Sequence, residues 1–248
     1  MIKTIYNKLI GNSSRSHKEL KNFKKQFDLF SQLDQSDRFK LNYKEIFPCL
    51  DDNTANTSFD AHYVYHPAWA IRIVKEINPA KHIDISSTLH FCSMLSAYIP
   101  VDFYDFRPAK LNLSDLNSLQ ADLTNLQFEN ESIECLSCMH TIEHIGLGRY
   151  GDPLDPDGDI KAINELKRVV KPAGSLLFVT PVGQPKIMFN AHRIYDPTMI
   201  TKLFEGFTLK QFSLVTDQGK FIDDASLNDG RNQNYGCGCF WFIKNITT

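Results

Sequence analysis

The sequence predicts a doubly wound α/β fold built on a mostly parallel sheet, and three observations predict it. Apolar runs of strand length alternate with helical stretches through most of residues 67 to 215. The stretch from Ser132 to Gly183 reads as a complete strand–helix–strand unit. Several expected strands end in polar residues, where an open parallel sheet places its ligand. In the central unit, Ile133 to Met139 is an apolar run of buried-strand length, and His140-Thr141-Ile142-Glu143-His144 is its polar tip. A Gly-, Asp- and Pro-rich loop follows. Asp159 to Val170 is then an amphipathic helix with Ile160, Ile163, Leu166, Val169 and Val170 on one face. Pro172 and Gly174 stop it, and Ser175 to Thr180 is the next buried strand.

Around this unit the chain divides into an N-terminal helical extension, residues 1–60, and a main domain, residues 61–248. Ser16 to Leu33 has helical spacing of Leu20, Phe23, Phe27 and Phe30, with lysines among them. Such a helix can dock on an anionic membrane, but packing on the main domain with a solvated lysine face is favoured. Asp51 to Asp60 is a polar, punctuated boundary. Pro67 is expected to begin a helix carrying Trp69, Ala70, Ile73, Val74 and Ile77, because its missing N–H costs nothing in the first turn. A strand over His82–Ile85, a helix over Leu89–Tyr98 and a strand over Ile99–Asp105 follow. Near the end come a helix over Pro197–Phe204 and strands over Phe207–Val215 and Cys239–Ile243, one of which can run antiparallel.

The 248 residues, 42% hydrophobic and 23% charged, have the balance of an ordinary globular protein. A formal net charge of −2 gives no reason to expect a nucleic-acid partner. No apolar run approaches the ~20 residues that cross a bilayer. The first twenty residues do not make a signal peptide, so a cytoplasmic protein is expected. The six cysteines then count as thiols. Cys135 and Cys138 stand three apart in a strand and point to opposite faces, poor geometry for one ion. No metal ligands are assigned, and the cysteines read as buried structural thiols.

Asp84 with Ser86 and Ser87, then Asp105, then Asp122, then His140 to His144 stand at successive strand ends. An acid there accepts hydrogen bonds from ribose hydroxyls, and the next can reach a base edge. Singly, each such Asp is more often a turn or cap residue.

HIDISS, VDFYDFRP, QADLTNLQF, SIECLSCMHTIEHI and ELKRVVKPAGSLLFVTPVG, in that order, resemble class I S-adenosylmethionine-dependent methyltransferases over roughly Ala61 to Lys244. The EHIGLGRYGDPLDPDGD run is similar to that of a subfamily with members beside surface-polysaccharide genes. The resemblance implies S-adenosylmethionine as cofactor, held by Asp84, Ser86, Ser87, Asp105, Asp122, Leu123, Met139 and His140. It implies methyl transfer to a small molecule, a hydroxyl of a sugar or glycan precursor. His144 is the first candidate for the base, with His140 and His192 behind it, and Arg149, Asp152, Asn190, Arg193 and Tyr195 are the candidates to meet the acceptor; each histidine has a structural, backbone-bonded role as its alternative, and the arginines a loop-bracing one. The family's D-x-G-x-G-x-G loop stands here as Asp84-Ile85-Ser86-Ser87-Thr88-Leu89-His90, without glycine. Two alternatives therefore stand beside the enzyme: a methyltransferase-like binding module in glycan assembly, and a zinc hydrolase using the H-x-x-E-H pattern of His140 to His144.

Overall fold

The computed structural model describes residues 17–36 and 38–246. The chain divides into two units, Met1–Ser58 and Phe59–Thr248. In the first, α1 (His17–Leu33) has no fully buried residue, and Phe27 meets Tyr43 edge-on at 5.0 Å. The expectation about a signal peptide falls largely on residues 1–16, outside the described residues.

The second unit runs α2 (Ala61–Ile77), β1 (His82–Ile85), α3 (Leu89–Leu95), β2 (Val101–Asp105), β3 (Leu116–Gln120) and β4 (Ile133–Met139). It continues α4 (Gly158–Val169), β5 (Val170–Val182), β6 (Lys186–Met188), β7 (His192–Ile194), α5 (Pro197–Leu203), β8 (Phe207–Val215), β9 (Phe221–Ile222), α6 (Leu227–Arg231) and β10 (Gly236–Lys244). The main sheet has the order β3-β2-β1-β4-β5-β10-β8-β9. The first five positions pair in parallel, while β10 runs antiparallel to both β5 and β8. The expected doubly wound, mostly parallel sheet is therefore present. From β1 the chain builds outward through β2 to β3, then returns to lay β4 on the other side. That reversal opens a crevice at the strands' carboxyl ends.

Both sheet faces are covered, which explains the near-continuous apolar strands. Along β4, Leu136 and Cys138 join a core with Ile163 and Leu166 of α4, while Cys135 and Met139 join another with Trp69, Ile73 and Phe91 of α2 and α3. Cys135 and Cys138 thus lie on opposite faces, as the spacing predicts.

Two elements start elsewhere than the sequence suggests. The helix α2 begins at Ala61, six residues before Pro67, because the Asp60 side chain accepts from Tyr63 N at 3.2 Å and caps it. Pro67 sits inside the helix, buried, and forgoes one backbone hydrogen bond there. Likewise β5 starts at Val170, directly where α4 ends, so Pro172 and Gly174 lie within the strand's first residues.

A buried polar relay joins β1 to β4. Neutral His82, pushed down to about 3 by burial, lies 3.2 Å by Nδ1 from Cys135 Sγ and 2.7 Å by Nε2 from Ser137 Oγ. Ser137 in turn donates to Asp84 Oδ2, and Ser87 N donates to Asp84 Oδ1 at 3.0 Å. With Asp84 ionised, the donors run from Cys135 through His82 and Ser137 to the carboxylate. Asp84 is therefore directed into the core beneath the sheet end, a correction to its expected place beside a cofactor.

Burial raises the Asp84 pKa to about 6 from 3.8, against the hydrogen bonds from Ser137 and Ser87. The folded chain holds this proton where the unfolded chain has lost it, so its contribution is complete below pH 3.8 and disappears as pH rises through about 6. Urea titrations across this window are expected to show about 3 kcal/mol of stability lost from this group. Asp84→Asn, which can run the relay in reverse, should remove that slope.

Candidate functional site

A cavity of about 270 Å³ opens at the carboxyl ends of β1 to β4. At its floor, Ser86 adopts φ +56°, the left-handed conformation that glycine enters freely and serine at a cost of about 1–2 kcal/mol. Two neighbours hold it there. Ser86 N donates to Tyr104 O at 2.7 Å, and Thr141 Oγ1 donates to Ser86 O at 2.9 Å. The next residues turn away from the cavity. Ser87 Oγ accepts from Met139 N at 3.0 Å, tying the turn to β4, while Thr88 caps α3 by accepting from Phe91 N. Leu89 packs against the core under α3. Thr88 and Leu89 consequently leave the groove open.

At the ends of β2 and β3 two acids converge with Ser86 on one rim. Asp105 accepts from Arg107 N at 2.7 Å, with the exposed ring of Phe106 beside it. Asp122 accepts from Thr124 N and Oγ1 at 2.8 and 2.7 Å, and Leu123 lies buried next to it. Asp105, Asp122, Leu123, Ser86 and His140 all line the cavity. Asp84, Ser87 and Met139 do not; hydrogen bonds or core packing retain them below it.

The other wall is the tip of β4. His140 has φ +55°, and its Nδ1 lies 2.8 Å from Oε1 of Glu143, which is 1% exposed. Burial opposes a charge on Glu143, but the hydrogen bond from His140 and the imidazoles of His140 and His144 hold its carboxyl below the usual range. Burial likewise opposes a charge on His140, yet Cys237 and Glu143 raise its pKa, and the Glu143 carboxylate is the partner that sustains this. His144 is different. Burial depresses it despite Glu143, so it is neutral near pH 7. Its Nδ1–H donates to Ala191 O at 2.6 Å, which fixes the tautomer and leaves the Nε2 lone pair free. That Nε2 lies 3.8 Å from Glu143 Oε1. His192 stands outside the lining, its ring 6.4 Å from that of His144.

The loop after the tip is folded by its own acids. Asp152 accepts from Gly146 N at 2.8 Å, Gly148 N at 3.3 Å and Tyr150 N at 3.1 Å. Asp152 lines the cavity, but these bonds engage both its oxygens in holding the loop. Arg107 and Arg149 lie over the Tyr150 ring at 4.6 and 5.1 Å, and Arg149 also donates to Ala191 O at 3.0 Å. Arg193 and Tyr195 are corrections. Arg193 is buried, donating to Ile145 O at 2.6 Å and Pro156 O at 3.2 Å, and the Tyr195 hydroxyl donates to Asp159 Oδ2 at 2.8 Å. Both brace the loop and α4 from behind. Asn190 is exposed between β6 and β7, away from the lining.

The H-x-x-E-H pattern does not form the helix a zinc hydrolase needs. Ile142–His144 is a single 3-10 turn, too short to present both imidazoles on one helical face. A different group gathers metal-ligating atoms: His62, His140 and Cys237, all within 4.8 Å of one another. Sequence spacing could not suggest it, since its members come from α2, the β4 tip and β10. Thr141, beside His140 at the strand tip, lines the cavity too, and so do Phe106, Arg107 and Tyr150, which the sequence reading does not single out; their adjacency to Asp105 and Arg149 is the available signal.

The reversing, mostly parallel sheet is a Rossmann-like fold, the fold of methyltransferases of known structure. The N-methyltransferase NodS from Bradyrhizobium japonicum WM9, in complex with S-adenosyl-L-homocysteine, is similar with a TM-score of 0.52 and 14% identity, over 75% of this chain and 88% of that one. A second NodS structure gives 0.51 and 13%, over 75% and 98%. A Galdieria sulphuraria protein provisionally assigned as a sarcosine dimethylglycine methyltransferase gives 0.50 and 12%, over 73% and 85%. Residues 109–235 match the family model described as Caenorhabditis protein of unknown function, DUF268, and the chain belongs to that family. No curated protein matches the sequence.

The loop depends on Gly146, at φ +80°, where a Cβ would stand 2.0 Å from Asp155 O. Gly146→Ala is expected to cost about 1–3 kcal/mol in backbone strain alone. Calorimetric melting should show Tm lowered by several degrees, and limited proteolysis should cut first within residues 146–157.

Proposed function

We propose that this protein is an S-adenosylmethionine-dependent methyltransferase whose acceptor is a hydroxyl of a small molecule, a sugar or glycan precursor. The observation that carries this reading is a single cavity with Asp105 and Asp122 on one rim and the neutral His144 across from them. The residues fit the cofactor. Ser86 reaches the left-handed conformation without glycine, and Thr88 and Leu89 stay out of the groove. Asp105 would accept from the ribose hydroxyls, Phe106 and Leu123 would flank the adenine, and Asp122 would face its edge.

When bound, the cofactor supplies a methyl group already activated on a sulfonium. What remains for the chain is alignment, exclusion of water and removal of one proton. His144 Nε2 takes the proton from the acceptor hydroxyl as the new bond forms, while Nδ1–H stays on Ala191 O. The imidazolium so formed lies beside the Glu143 carboxylate, which stabilises it. The exposed guanidinium of Arg149, over Tyr150 at the cavity mouth, offers a grip on a phosphate or carboxylate of the acceptor.

Titration calorimetry with S-adenosylhomocysteine should give a clear heat of binding; its absence would leave the binding-module alternative standing. Asp105→Ala should weaken that binding by about 10- to 100-fold. His144→Ala should slow transfer by about 10²- to 10⁴-fold in a single-turnover assay and leave product affinity nearly unchanged. Full activity of His144→Ala would remove it as the base.

A further inference from the structure

We propose that His62, His140 and Cys237 form a binding site for one zinc-type divalent cation. Their donor atoms lie within 4.8 Å of one another, and each comes from an anchored element: the first turn of α2, the turn closing β4 and the start of β10. A tetrahedral set at zinc distances has donors roughly 3.3–3.6 Å apart, so the groups need to close by about 1 Å through side-chain rotation.

The His140 side chain is 3% exposed, and its buried Nε2 has no oxygen or nitrogen partner among the described residues, only the Cys237 thiol beside it. Its other nitrogen lies on Glu143 Oε1 at 2.8 Å. A carboxylate holding Nδ1–H, with Nε2 directed elsewhere, is how proteins orient a metal-bound imidazole. Two nitrogens and one sulfur select zinc or a similar borderline ion over magnesium or calcium. Burial keeps the free Cys237 thiol protonated, and an ion would displace that proton together with any on His140 Nε2.

Cys237, His140 and Glu143 also have the order of a nucleophile, a base and its orienting acid. The sulfur is 0% exposed, which bars an acyl substrate. An ion needs only the approach past half-buried His62. Three protein ligands leave a fourth position that a water can fill. The inference stands apart from the cofactor assignment, since the three ligands form the site without any adenosyl group.

The test uses the full chain, produced with added zinc and no histidine tag, dialysed against metal-free buffer without cofactor and analysed for metal. About one zinc per chain is expected. Replacing zinc with cobalt(II) should produce a thiolate-to-cobalt charge-transfer band that Cys237→Ser abolishes. Glu143→Gln should weaken zinc affinity about 10- to 100-fold. A chain that retains no zinc overturns the proposal. So does zinc retained equally by the His62→Ala/Cys237→Ser double variant, or a wild-type cobalt spectrum without the sulfur band, which needs no variant to fold.

Discussion

A carboxylate sealed inside a protein has to be balanced, and the balance of Glu143 by His140 organises one whole wall of the cavity. The pair sits on the turn at the end of β4, where His140 takes φ +55° so that its ring folds back over the acid. Without that turn Glu143 would be an isolated charge, which costs several kcal/mol in an apolar interior. With it, one acid serves two imidazoles. It sustains a proton on His140, which contacts it directly, while His144, a little farther away, remains neutral under burial. Two histidines four residues apart thereby shift in opposite directions, His140 upward beside the acid and His144 downward because burial outweighs it.

The opposite wall is built by simpler means. Parallel strands ending side by side bring Asp105 and Asp122 onto one rim, and short Asx turns fix each of them. Behind the loop that closes the cavity, Arg193 and Tyr195 converge on Asp159, so α4 and the loop are held as one body.

Much of the architecture was legible because strand and helix periods differ. Ile133–Met139 and Phe207–Val215 can be read from apolar content alone, and both are strands over those residues. The start of α2 was not, because Pro67 is a strong local signal and the Asp60 cap a weak one. The site was partly legible. Asp105, Asp122, Leu123, His140 and His144 follow from their places at strand ends, and the structure brings them to one cavity. Asp84, Arg193 and Tyr195 look the same in sequence, but burial, which no local pattern encodes, turns them inward. The His62, His140 and Cys237 group depends on contacts between segments far apart in the chain, to which periodicity is blind.

The serine at position 86 has a wider consequence. A glycine-rich fingerprint records one way of making a backbone angle inexpensive, by removing the atom that resists it. Here the angle is enforced from outside, by a carbonyl of β2 on one side and a threonine hydroxyl just past the end of β4 on the other. Chains that reach the same bend by external anchoring will be invisible to any search keyed to the missing glycines, however closely their backbones coincide.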